Sequence, residues 1–128
     1  MIPKFRAWHN ELGRMMSVKT MFFFANELEE LELNDSIMND HIPVYPDEIE
    51  LMQSTGLKDK NGKEIFEGDI LKSNKYITSV FYEEGAYCVK FCRTTNTTVT
   101  MNVISFIEKY KNKVIGNIYE NPELLEEE

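Results

Sequence analysis

The chain is poor in the residues that do chemistry. Of its 128 residues, only two are cysteine, two are histidine and one is tryptophan. Cys88 and Cys92 stand four apart on an expected strand, on one face and about 13 Å from each other, beyond disulfide reach. Cys-x-x-x-Cys without a second pair is also poor zinc spacing, so both thiols read as half-buried apolar side chains and no metal is expected. His9 and His41 stand in no pattern with a nucleophile or a carboxylate and read as exposed polar residues. There is no glycine-rich phosphate loop. No apolar run is long enough to cross a bilayer, and Met1–Arg6 lacks the charged-then-apolar order of a secretory leader. These absences point to a cytoplasmic protein with no membrane partner, no cofactor and no catalytic residue.

Two carboxylate groupings fail in the same direction. Glu64, Glu67 and Asp69 are close in sequence, but flanking a turn they read as solvated edges rather than a hydrolytic or Mg²⁺ site. Asp59-Lys60-Asn61-Gly62 opens like a calcium loop, yet its glycine comes too early, Lys63 takes a ligand position and no Glu stands at the twelfth place. The chain is not expected to be an enzyme.

What is present is a core, and charge of one sign. Hydrophobic residues make up 42 % of the chain, with eight Phe and six Tyr, enough for one ordinary domain rich in β-structure. The formal net charge is −8, which argues against a polybasic nucleic-acid binder. The charge is uneven. Nine acids and no Lys or Arg fall between Asn26 and Glu50, whereas Ala86–Val114 carries Lys90, Arg93, Lys109, Lys111 and Lys113 against Glu108 alone. Two solvated faces of opposite sign explain this, and so would head-to-tail self-association or one basic face that meets a phosphate backbone.

Along the chain, residues 3–18 read as a β-hairpin turning at Asn10–Gly13, followed by the apolar Met21–Phe24, whose three phenylalanines are expected in the core. Residues 26–33 balance between a capped helix and an alternating strand, with the strand preferred. Residues 34–47, acidic and broken by Pro43 and Pro46, read as connector, so the organisation expected is an N-terminal β-layer (1–25), an acidic loop or connector (26–47), a barrel-like core (48–119) and an acidic tail (120–128) that frays at Glu126–Glu128. In the core, Asn61-Gly62 signals a tight hairpin, Asp69 reads as a turn anchor bonding backbone N–H groups, and strands are expected at 70–72, 77–82, 87–92, 97–103 and 114–119. One helical turn is expected within 105–110.

Three segments carry a resemblance. Leu51–Leu71, with its Gly56, Gly62 and Gly68, looks like the YopX family of phage and prophage proteins. Lys4–Trp8 and Val114–Leu124 match the same pattern, so the resemblance brackets nearly the whole chain. It departs at His9, where the family usually carries an acid, and in the acidic stretch 26–47. The resemblance implies a mainly β fold, a small SH3-like barrel or rolled antiparallel sheet with little helix, in a phage or prophage of Gram-positive bacteria. It implies no mechanism and carries over no catalytic residue.

The function expected is therefore a non-enzymatic protein-interaction or self-assembly module, a homo-oligomer or the partner of a phage or host protein in the bacterial cytoplasm. The alternative is a nucleic-acid-binding small β-barrel acting in replication or transcription. There Lys72, Lys75, Lys90 and Arg93 would converge on one face, interleaved with Tyr76, Phe81, Tyr82, Tyr87 and Phe91.

Overall fold

Period-two alternation of apolar and polar side chains builds most of this molecule. The computed structural model describes residues 4–126; expectations for Met1–Pro3 and for Glu127–Glu128 lie outside the described residues. The structure is mainly β, with two antiparallel sheets and little helix. The chain divides into two compact units, Met1–Gln53 and Ser54–Glu128.

The first unit is a meander of β1 (Phe5–His9), β2 (Arg14–Phe24), β3 (Glu27–Asp35) and β4 (Asp40–Val44). A 3-10 turn (Pro46–Glu48) leads into β5 (Ile49–Lys58), whose first half pairs with β1, giving the order β4-β3-β2-β1-β5. Its core is Ala7, Met16, Leu31, Leu33, Val44 and Ile49. On β3, Leu31, Leu33 and Asp35 are buried while Glu30, Glu32 and Asn34 alternate outward. The acidic stretch is thus the polar face of a half-buried strand. Asp35 closes the β3–β4 turn by pairing with Arg14 and accepting the N–H of Ile37 at 3.1 Å.

Three expectations need correction here. Residues 26–47 are not a connector, because β3 and β4 occupy most of them. Pro43 does not prevent this, since β4 is an edge strand and can spare one ladder N–H. His9 is buried, 6 % exposed, and its Nδ1 accepts the N–H of Leu12 at 3.1 Å to stabilise the β1–β2 turn. The three phenylalanines are not core: Phe22, Phe23 and Phe24 are 48, 62 and 73 % exposed. They extend beyond the region where the sheet has a packing face, up to the Ala25–Asn26 turn.

In the second unit the remainder of β5 pairs with β6 (Glu64–Phe66) across a register shift. β7 (Asp69–Ser73), β8 (Ile77–Glu83), β9 (Ala86–Thr94), β10 (Thr97–Asn102) and β11 (Asn112–Asn117) form a sheet of order β10-β9-β8-β7-β11. Helix α1 (Val103–Lys109) starts where the Asn102 side chain accepts the N–H of Ile104 at 2.9 Å, and is a turn longer than expected. Ile65, Leu71, Val80, Val89, Phe91, Val103 and Phe106 make the core. The sheet does not close: β10 and β11 are both edges, and α1 covers the core with Val103 and Phe106 instead of strand closure. The barrel expectation is replaced by an open sheet with a helical cover. The thiols differ as well, Cys88 being partly buried and Cys92 exposed, because they share the strand face opposite Val89 and Phe91. Pro122–Glu126 form a 3-10 turn at the start of the acidic tail, and the fraying expected of Glu126–Glu128 falls largely outside the described residues.

Side-chain-to-backbone bonds fix the turns. Asp69 is buried and accepts the N–H of Phe66 at 2.8 Å, the anchor role expected of it. At Gly116 an added Cβ would overlap the Asn121 side chain, so the close packing of that segment requires glycine. The loop after β5 is not the tight Asn-Gly turn expected, since only Gly62 takes a positive φ there. Asp59 organises it instead. Its Oδ1 accepts from the N–H groups of Asn61 (2.9 Å) and Lys63 (2.8 Å), and its Oδ2 from that of Val114 at 2.8 Å, 55 residues away.

Burial pushes the Asp59 carboxyl up, but the N–H groups of Val114, Lys63 and Asn61, with the charge of Lys63, outweigh it and hold the carboxyl below its ordinary value. A folded-state value below the unfolded one confers stability that is complete above the ordinary carboxylate pKa and disappears as pH falls through the folded value. Asp59→Asn should cost about 2 kcal/mol at neutral pH, because an amide cannot accept all three bonds. Urea unfolding at pH 7 and pH 3 checks this, with the gap between variant and wild type narrowing at the lower pH.

Candidate functional site

Two features of the surface stand apart from its ordinary mixture of charges, one in each unit. The first is a cleft of about 570 Å³ in the second unit. Lys72 reaches it from β7, Lys75 from the β7–β8 turn, Lys60 from the Asp59 loop, Lys109 from the end of α1, and Lys111 and Lys113 from the chain entering β11. Ser73, Asn74 and Tyr110 complete the lining, which contains no Asp or Glu. Six of the chain's 14 Lys and Arg residues therefore meet in one place on a protein of net charge −8. Among the described residues none of the six forms an ion pair. Lys72 and Lys113 are direct cross-strand partners, an arrangement of like charges that destabilises a sheet.

Local structure explains the convergence. Lys111 and Lys113 flank buried Asn112, so alternation turns both the same way. The N–H of Lys60 donates to the carbonyl of Asn112 at 3.1 Å, beside the Asp59–Val114 bond, which holds the loop against β11. Tyr110 is held by ring contacts with Tyr76 at 5.3 Å and Phe106 at 5.2 Å, and the ammonium of Lys109 lies 5.8 Å from its centroid.

Of the four basic residues singled out from the sequence, Lys72 and Lys75 line this cleft and Lys90 and Arg93 do not. Lys90 sits on the exposed face of β9 opposite Thr100, and Arg93 at the strand's end. The interleaved aromatics also divide: Phe91 and Tyr76 stack at 4.2 Å within the core, while Tyr82 is half exposed. Lys60 was not singled out from the sequence, and Lys109, Lys111 and Lys113 were noted there only as part of the basic stretch 86–114. The alternation Lys109-x-Lys111-x-Lys113 was the available signal.

The second feature is the β2–β3 hairpin of the first unit. Its turn residues Ala25 and Asn26 have φ of 52° and 67°, the type I′ geometry of a two-residue hairpin. Phe22 pairs with Glu30 and Phe24 with Glu27, while Phe23 pairs with Leu28. The tip thus presents exposed rings beside carboxylates. Elsewhere the chemistry is sparse. A smaller hollow of about 210 Å³ is lined by Thr55, Leu57, Tyr87 and Asn102 among others. Burial, then the charge of Glu67 and the neighbouring Tyr82, raises the Tyr87 phenol, away from acid–base use near neutrality. His9 and His41 line neither cleft. Among the described residues no group of three His, Cys, Asp or Glu side chains could hold a metal ion, and no helix is long and apolar enough to cross a membrane.

A family model described as YopX protein matches residues 4–126. The chain belongs to the YopX family. The crystal structure of protein EF1440 from Enterococcus faecalis is similar at 31 % identity and a TM-score of 0.65, over 98 % of this chain and 99 % of that one. Protein yopX from Bacillus subtilis shares the fold at 22 % identity and a TM-score of 0.59, over 95 % and 97 % of the two chains. No protein with a curated description matches.

The residues that carry the YopX resemblance do structural work in this chain. Asp59 and Gly62 shape the loop after β5, and Asp69 anchors the turn before β7. Asn117 caps the last turn, its Oδ1 accepting from the N–H groups of Tyr119 and Glu120 at 3.0 and 2.9 Å. The lysine cleft is built on this frame, and its crowding has a measurable cost. Lys72→Met should raise stability by a few tenths of a kcal/mol at low ionic strength, with the gain fading in about 1 M salt. Urea titrations at both salts check it, and a loss of stability at low salt would contradict the repulsion.

Proposed function

We propose that this YopX-family chain is a non-enzymatic protein of a phage or prophage, acting in the host cytoplasm through protein contacts and assembling with copies of itself. The observation that carries the reading is the β2–β3 tip, where three consecutive phenylalanines stand in water beside Glu27 and Glu30. Exposed apolar surface rimmed by charge marks interaction sites in soluble proteins, and aromatic anchors supply most of the energy in small interfaces. The occupant we assign is a second copy, because the chain carries the complement of its own tip: a lysine cleft with no acid, partly walled by Tyr110.

Such a contact is heterologous, tip to cleft, and continues into a ring or a filament. We take the second unit as an opened SH3-like roll, a description supported by its short antiparallel strands and single short helix.

Light scattering after size exclusion tests the assembly. Wild type should elute as an oligomer at low salt and fall toward monomer as salt rises, because the contact is charge-assisted. Phe23→Ser with Phe24→Ser should be monomeric at both salts while keeping its β-sheet circular dichroism. A wild type that is strictly monomeric at low salt and high concentration would sink the reading.

A further inference from the structure

We infer that the lysine cleft of the second unit receives the phosphodiester backbone of a single-stranded nucleic acid. This goes beyond self-association and does not depend on it. Six ammonium groups from five segments of chain converge around about 570 Å³, with no carboxylate in the lining and no ion pair to any of the six among the described residues. A fold has no structural reason to gather them. Lys72 and Lys113 repel across adjacent strands, and alternation alone would have allowed acids between them. A polyanion would relieve that repulsion when bound.

The kind of cation selects the kind of anion. No Arg lines the cleft, so there is no planar fork for bidentate grip on a single phosphate. Flexible point charges spread over a concave surface suit a row of phosphates whose positions need not be fixed closely. A hollow of about 570 Å³ can take a short stretch of single strand. Tyr110 forms part of the wall, held by its aromatic neighbours, while Ser73 and Asn74 add neutral hydrogen-bonding groups. The net charge of −8 does not oppose this, because local potential in a cleft, rather than net charge, draws in a ligand. The acidic hairpin of a second copy would compete for the same lysines, so nucleic acid and self-assembly exclude each other.

The test is fluorescence anisotropy on the full chain carrying Phe23→Ser and Phe24→Ser, so that the result stands whether or not wild type self-associates. Labelled single strands of DNA and RNA of about 12 nucleotides are titrated at about 50 mM salt. Saturable binding is expected, weakened at least about 30-fold by Lys72→Glu with Lys113→Glu and by less than about 3-fold by Lys90→Gln. The milder pair Lys72→Gln with Lys113→Gln should weaken binding in the same direction and reduce the salt slope by about 0.7 for each lysine. Failure of wild-type cleft residues to bind either strand overturns the inference, as does equal loss in the Lys90 and cleft variants. A duplex that binds more tightly than the single strand would overturn the single-strand assignment. Displacement by tripolyphosphate at equal phosphate concentration would mark a free-phosphate site and overturn it too.

Discussion

The carboxylate of Asp59 links the parts of the second unit on which its surface depends. One oxygen holds the loop that follows β5, and the other reaches β11 through the N–H of Val114. Together with the bond from the Lys60 N–H to the Asn112 carbonyl, that tether fixes Lys60 beside Lys111 and Lys113. The bond is local in energy and long-range in consequence: it spans 55 residues and sets the wall of the lysine cleft. Its oxygens are satisfied by backbone donors, which offsets the cost of burying the charge.

The two units segregate charge through one rule. A strand that buries every second residue must expose the rest, and the exposed residues then set the sign of a face. On β3 the outward-facing series is Glu30, Glu32 and Asn34; around β11 it is Lys111 and Lys113. An acidic chain thereby holds a basic cleft and an acidic aromatic tip, while its buried carboxylates Asp35, Asp59 and Asp69 anchor turns. Both features sit where packing makes no demand, at a hairpin tip and at strand ends. That location favours recognition over stability as their reason for existing.

Much of the fold was legible in the sequence. The β1–β2 hairpin, the strand over 26–33, the strands at 77–82 and 87–92, and the Asp69 anchor all follow from period two and turn chemistry. Other features depend on pairing between distant residues, which a single sequence does not display. Pro43 read as a break because nothing local says that β4 lies at an edge. Phe22–Phe24 read as core because hydrophobicity does not reveal how far a hairpin projects past its sheet. The cleft was half visible: Lys72 and Lys75 were identified, but their companions arrive through the β7–β11 register and the Asp59 tether. Lys90 and Arg93 looked equivalent to them only before strand faces were known.

Complementarity between tip and cleft is the central claim, and mixing two inert variants tests it most directly. One carries Glu27→Lys and Glu30→Lys on the hairpin; the other carries Lys72→Glu and Lys113→Glu in the cleft. Each alone sets like charges against each other and should be monomeric by native mass spectrometry at low salt. Mixed in equal amounts they restore opposite signs, and mixed oligomers should appear. A mixture that stays monomeric under conditions where wild type assembles would contradict the account.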